Sequence, residues 1–189
     1  VQRRLLFGLL GLLVTSASAA SYTISLPAGP SLIANHFNHP TGNTLENILP
    51  NPPPGTTFYK WNCTAWTVYV FDDIDLVWYP DGLATLNPGE GALIDLPVPA
   101  TITFSGTPVV PVLPVTLPCG CNATNLLSRQ TTNAPTTFQN LTGFAPTDGT
   151  GLLRHNPGMP AFPIAAPNYS VYTFSSGAWT PSAPLLDQG

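Results

Sequence analysis

Trp61, Trp66, Tyr69, Trp78 and Tyr79 crowd into one stretch of nineteen residues, the densest run of large rings in the chain. Flat rings offer an apolar face with a polar tip, a combination that stacks on sugar rings. Two of the five reappear later in the chain, Tyr69 as Tyr172 and Trp78 as Trp179, which marks them as packing residues. Trp61, Trp66 and Tyr79 have no aligned aromatic and are therefore the candidate carbohydrate-binding residues.

Other groups could do chemistry but lack the company it needs. His36 and His39 offer two imidazoles, whereas a zinc site needs three or four ligands with partners behind them. Asp72, Asp73 and Asp75 form the densest carboxylate group and are weak calcium candidates, but their spacing fits no twelve-residue calcium loop. As neighbours on one turn they also make a poor glycosidase pair. No nucleophile elbow, phosphate loop or dinucleotide fingerprint occurs. The expectation is a protein without catalysis, cofactor or metal centre. Cys63, Cys119 and Cys121 are an odd set. In an oxidising compartment Cys63 is expected to pair with Cys119 or Cys121.

What positions these residues is a scaffold stated twice. Gly55-Thr56-Thr57-Phe58-Tyr59-Lys60-Trp61-Asn62 returns as Gly149-Thr150-Gly151-Leu152-Leu153-Arg154-His155-Asn156. Val68-Tyr69-Val70-Phe71 aligns with Val171-Tyr172-Thr173-Phe174, and Thr44-Leu45-Glu46-Asn47-Ile48 with Thr137-Phe138-Gln139-Asn140-Leu141. Upstream, Leu26-Pro27-Ala28-Gly29 and Leu32-Ile33 align with Leu117-Pro118-Cys119-Gly120 and Leu126-Leu127. A fixed internal period is the signature of tandem modules. Leu86-Asn87-Pro88-Gly89 meets Leu186-Asp187-Gln188-Gly189, yet the first copy runs on through Glu90-Gly91-Ala92-Leu93-Ile94. The second copy is expected to be truncated.

The ends and the composition bound the setting. Arg3-Arg4, an apolar run from Leu5 to Val14 and Ala17-Ser18-Ala19-Ala20 read as a secretory signal peptide over residues 1–20. An initial Val before such a leader points to an alternative start codon and a bacterial gene. No membrane span is expected once the leader is removed. Beyond it, Lys60, Arg129 and Arg154 face nine carboxylates, a balance that excludes nucleic acid and anionic membranes as partners. Charged residues make up 7% of the chain, so hydroxyls and amides must solvate its surface.

Short runs rich in aromatic and β-branched residues predict strands at residues 21–26, 57–61, 66–71, 76–79, 91–96 and 100–104. The 23 prolines, with glycines, punctuate them. Residues 44–49 predict one helical turn, with residues 137–141 in the same place. Residues 108–114, with Pro108, Pro111 and Pro114, read as an extended connector. The fold class is therefore all-β: two tandem small antiparallel modules, sandwich or partly open barrel, each with one short helical turn. Residues 21–112 form the first and residues 113–189 the second.

The repeated blocks resemble a group of secreted, uncharacterised bacterial β-rich repeat proteins. Their pattern is a strand of the type V-Y-[KR]-[WF]-[ND], then a Y-x-x-[YF] strand, a Trp-Pro stretch and a closing G-E-G-hydrophobic turn. This chain departs from it at Ala92 and His155, where aromatics are usual. The resemblance implies export but no activity and no catalytic residues. The functional expectation is a secreted structural or adhesive protein of the cell surface or extracellular matrix. The alternative is a carbohydrate-binding module, free-standing or an appendage of a larger secreted enzyme. Its expected partners are polysaccharide or other cell-envelope components.

Overall fold

A computed structural model describes residues 19–120, 123–131, 136–156 and 168–186 of the chain. All but the last two residues of the leader expected over residues 1–20 lie outside them. The architecture is all-β, with 42% of the residues in strands and 6% in helix, in antiparallel sheets that do not close into a barrel.

Two of the three sheets enclose the main core. The larger has the order β2 (Gly29–Ala34), β7 (Gly91–Leu96), β4 (Thr57–Trp61), β5 (Trp66–Phe71), β6 (Trp78–Tyr79). The smaller has the order β1 (Ala20–Leu26), β8 (Ala100–Pro108), β3 (Phe37–Asn38). One helical turn, α1 (Leu45–Ile48), closes the end between them, buried at Leu45 and Ile48. Phe58, Phe71, Trp78, Ile94 and Leu96 from the larger sheet meet Ile102 and Phe104 from the smaller one in a single apolar cluster. That is the inner face of a two-layer sandwich, built by alternate residues of each strand.

The backbone choices follow from local chemistry. Pro30 has no N–H to give a ladder, and β2 lies at a sheet edge where none is needed. Gly106 lies where β3 joins β8; a Cβ there would stand 2.3 Å from the carbonyl oxygen of Asn38, so only glycine admits the pairing. Leu76 turns the chain with φ 55°, and the strand expected over residues 76–79 shortens to Trp78–Tyr79. The outer face of the smaller sheet carries Ser21, Thr23 and Ser25 opposite Ser105, Thr103 and Thr101. The Thr23 and Thr103 hydroxyls lie 3.0 Å apart. Hydroxyls, not charges, solvate this face.

The third sheet comes from the second half of the chain, with the order β11 (Ala178–Thr180), β10 (Tyr169–Ser175), β9 (Gly151–His155). A second helical turn, α2 (Phe138–Thr142), precedes it, and its Thr137 side chain accepts the Asn140 N–H at the helix start. The segments aligned with β1 and β2 do not form strands of that sheet. Leu127 bridges Glu90, the Ser128 N–H reaches the Gly89 carbonyl at 2.9 Å, and both contacts lie at the start of β7. Residues 126–128 thus extend the first sheet, while the Val115 N–H reaches Thr142 at the end of α2.

One buried ring makes stability depend on pH. His36 is 4% exposed and stacks on Tyr22 at 4.8 Å, and Tyr22 also stacks with Phe104 at 5.2 Å. Burial, and secondarily the positive charge of Arg129, pushes the His36 pKa below its ordinary value. The unfolded chain then binds a proton that the folded one resists, so stability falls as pH drops below about 6.5 and levels off below the folded pKa. Urea midpoints for the wild type should decline between pH 7.5 and 5. His36→Phe keeps a stacked ring without the titration, and its midpoint should change less over that interval.

Candidate functional site

The outer face of the larger sheet gathers the three candidate rings. Antiparallel register sets Trp61 opposite Trp66, Tyr59 opposite Val68, Thr57 opposite Val70, and Val70 opposite Tyr79. Directly paired residues point to the same side of a sheet, and residues two apart along a strand share a face. Trp61, Trp66 and Tyr79 therefore lie on one surface with Tyr59, Val68 and Val70. Trp66 and Val70 are four residues apart, about 13 Å along the strand at the usual rise, so Tyr79 stands at the far end of the strip from the tryptophans.

Between the two ends, Val68 is 43% and Val70 40% exposed, and Tyr79 is 47% exposed. The tryptophans do not make a flat platform. Their rings meet at 5.3 Å with planes inclined by 61°, and Tyr59 meets Trp66 edge-on at 6.5 Å. The Trp61 indole N–H donates to the Thr124 carbonyl at 2.9 Å, and the Tyr79 hydroxyl donates to Asp75 at 2.9 Å. That bond and the negative charge beside it raise the Tyr79 pKa, while burial and then Asp95 raise that of Tyr59. The strip is an apolar surface with polar tips at its margins.

Lys60, on the opposite face of β4, ties the end of the strand down. Its ammonium donates to the Thr85 carbonyl at 2.6 Å and pairs with Glu90 at 2.5 Å, and Glu90 also accepts the Asn87 N–H at 2.8 Å. Cys63 and Cys119 form a disulfide across 56 residues, with Cα atoms 5.2 Å apart. Cys121 lies outside the described residues.

The second half repeats this geometry pair by pair. Leu152 faces Tyr172, Leu153 faces Val171, Arg154 faces Ser170 and His155 faces Tyr169. Phe174 and Trp179 meet at 5.3 Å and 67°, as Phe71 and Trp78 meet at 5.4 Å and 63°. Arg154 donates to the Leu185 carbonyl at 2.8 Å, as Lys60 does to Thr85. The bonds from Gly55 to the Phe71 carbonyl and from Gly149 to the Phe174 carbonyl also correspond.

This register overturns one step of the sequence argument. Tyr169 occupies the position of Trp66, and His155 and Tyr169 meet at 5.3 Å and 69°, close to the geometry of Trp61 and Trp66. An aromatic does recur opposite that strand end, so the ring pair belongs in part to the scaffold. The aligned block began at Val68 and Val171, two residues too late to reveal it. Tyr59, Val68 and Val70 were also missed as members of the face, although the period-two pattern of β5 carried that signal.

The remaining candidates do not converge. His36 is stacked in the core, whereas the His39 ring bonds the Thr41 hydroxyl at 2.9 Å. Asp72 accepts the N–H groups of Ile74 and Asp75 at 2.8 Å each; those bonds lower its pKa and shape the turn. Asp75 holds Tyr79, and no contact links Asp73 to either. Among the described residues no three His, Cys, Asp or Glu gather as metal ligands would. A shallow cleft beside α1, of about 150 Å³, has Glu46 as its one titratable group and so offers no acid–base pair. No helix among the described residues is long and apolar enough to cross a membrane.

Comparison with known proteins adds no relative: no family model, curated protein or solved structure matches this chain.

Proposed function

We propose that the protein is secreted, non-catalytic and structural or adhesive, working at the cell surface or in the extracellular matrix as two copies of one β-module. The observation that carries this reading is the double occurrence of a three-stranded meander with the same register, the same ring contacts and the same cation-on-carbonyl clamp. Repeated modules suit adhesion because copies multiply weak contacts. A disulfide and a hydroxyl-rich face accord with life outside the cytoplasm. Its partners are polysaccharide or other cell-envelope components and not nucleic acid, which the scarcity of basic residues disfavours.

A second reading, carbohydrate binding, is favoured by one observation: Trp61, Trp66 and Tyr79 share an exposed face with Val68 and Val70. The two readings separate with purified protein and Trp66→Ala. Retention on isolated cell-envelope or matrix material that the substitution leaves unchanged supports the structural reading. Binding to a defined glycan on an array, lost in Trp66→Ala, replaces it with the carbohydrate reading. Absence of retention and of glycan binding removes both.

A further inference from the structure

We propose that the cleft beside α1 and its counterpart beside α2 each seat one uncharged sugar residue, a placement that rests on the reading above that the partner is polysaccharide. The first cleft, of about 150 Å³, lies between α1 and the chain that follows β6, and Glu46, Phe71, Leu76, Val77, Trp78 and Gly82 line it. The second, of about 240 Å³, lies between α2 and the chain that follows β11, where Phe138, Gln139, Trp179, Ala183 and Pro184 line it. Both fall short of the roughly 300 Å³ at which pockets take drug-sized molecules, so each has room for a single ring.

The two clefts are one feature stated twice. Glu46 and Gln139 are the second residues of α1 and α2. Trp78 and Trp179 are the repeated ring, and Gly82 and Ala183 each stand four residues beyond it. The frame repeats as well, because the chain beyond each tryptophan returns to the segment before the helical turn. The Leu86 N–H reaches the Asn43 carbonyl at 2.9 Å, and the Leu186 N–H reaches the Thr136 carbonyl at 2.8 Å. In the first copy the Glu46 N–H also meets the Gly82 carbonyl at 3.2 Å, and a Cβ on Gly82 would stand 2.9 Å from that of Glu46. The wall residues differ in size and charge between the copies. The recess therefore belongs to the backbone frame and not to a chance gap between two particular side chains.

Chemistry common to both clefts narrows the occupant. Phe71 and Trp78 are buried and give the first an apolar floor, while Leu76 and Val77, 54% and 47% exposed, form its rim. Glu46 and Gln139 are exposed, and each offers a side-chain oxygen that accepts hydrogen bonds. A fitting occupant carries donors on one side and an apolar face on the other. A pyranose has both, with hydroxyls at its edge and C–H groups over its face. A lysine or arginine side chain suits the Glu46 carboxylate but gains no charge pairing from Gln139. A proline-rich peptide brings carbonyl acceptors, and the Trp78 indole N–H that could have met one is given to the Leu49 carbonyl at 3.0 Å. Glu46 also sets a charge rule: a uronic acid is repelled at the first cleft and tolerated at the second. Uncharged residues are the class that both clefts share.

The test adds cellotriose and the trimer of N-acetylglucosamine to the isotope-labelled full chain, followed by nuclear magnetic resonance. With at least one of them the amide signals of Glu46 and Gln139 should both shift saturably. Val77→Trp, which fills the first cleft from its exposed rim, should abolish the shift at Glu46 and spare that at Gln139. Ala183→Trp should do the reverse, so each variant is the folding control for the other. On the immobilised polymer of the same sugar, filling either cleft should weaken retention by at least about tenfold, since linked contacts multiply. Trigalacturonate should move Gln139 alone in the wild type and both amides in Glu46→Gln. Trp66→Ala should change none of this, which separates the clefts from the outer strip. Shifts at only one of the two amides or at neither, shifts confined to the Trp61 and Trp66 strip, or shifts that survive both fillings overturn the proposal. So does a peptide of residues 108–114 moving the same amides when neither sugar does, which would make a proline-rich peptide the occupant. Retention on cell-envelope material that both fillings together leave unchanged overturns the clefts and spares the polysaccharide reading, whereas no retention and no sugar binding removes the two together.

Discussion

Replacing both bridged cysteines, Cys63→Ser with Cys119→Ser, should lower the melting temperature by about 10 °C. The bridge closes a loop across 56 residues. Loop-closure entropy removed from the unfolded chain at that length is worth about 4 kcal/mol, and each kcal/mol moves the midpoint of a domain this size by about 2–4 °C. Cys63 sits on the β4–β5 turn with φ 79°, and the Asn62 carboxamide caps that turn by accepting the N–H groups of Thr64 and Ala65. Opposite it, the segment after Cys119 reaches the first sheet through Thr124 and Trp61 and through Ser128 and Glu90. Removing the bridge should therefore also open residues 119–131 to proteolysis before the sheets unfold. Calorimetry without reductant, paired with limited proteolysis, measures both effects. Equal melting temperatures for the variant and the wild type would refute the prediction.

Local pattern accounts for most of what was legible in the chain. β4, β5 and β7 begin and end where their aromatic and β-branched runs do, because turn residues bound them on both sides. β1 and both helical turns were legible for the same reason. β2 was not, since Gly29-Pro30 opens it and proline argues against a strand until its edge position is known. β3 is two residues long and exists only because β8 runs on to Pro108 beside it. Pairing between β1 and β8, some 80 residues apart, is set by the sandwich and not by any neighbouring residue.

The candidate surface was legible residue by residue but not as an arrangement. Trp61, Trp66 and Tyr79 were singled out by type, and only the register put them on one face with Val68 and Val70. Lys60 was recognised as a repeated cation, yet its hold on Thr85 and Glu90 depends on a chain that returns 25 to 30 residues later. Tyr169 went unmatched because sequence comparison follows identity, whereas the sheet follows position.

Phe58→Ala and Leu152→Ala, the same strand position in the two halves, should differ severalfold in cost. Phe58 is fully buried, with Tyr69 and Trp78 at 6.2 and 6.4 Å and β7 closing over it. Emptying that site forfeits both transfer free energy and packing, about 4 kcal/mol. Leu152 lies on a part-buried face, so its truncation should cost about 1 kcal/mol. Trp61, Trp66 and Trp78 report on the first half and Trp179 on the second, so urea unfolding followed by fluorescence in Trp179→Phe isolates the former. Far-ultraviolet circular dichroism then covers both. Equal large losses would mean that the face under Leu152 is as well covered as the one under Phe58, and would refute the prediction.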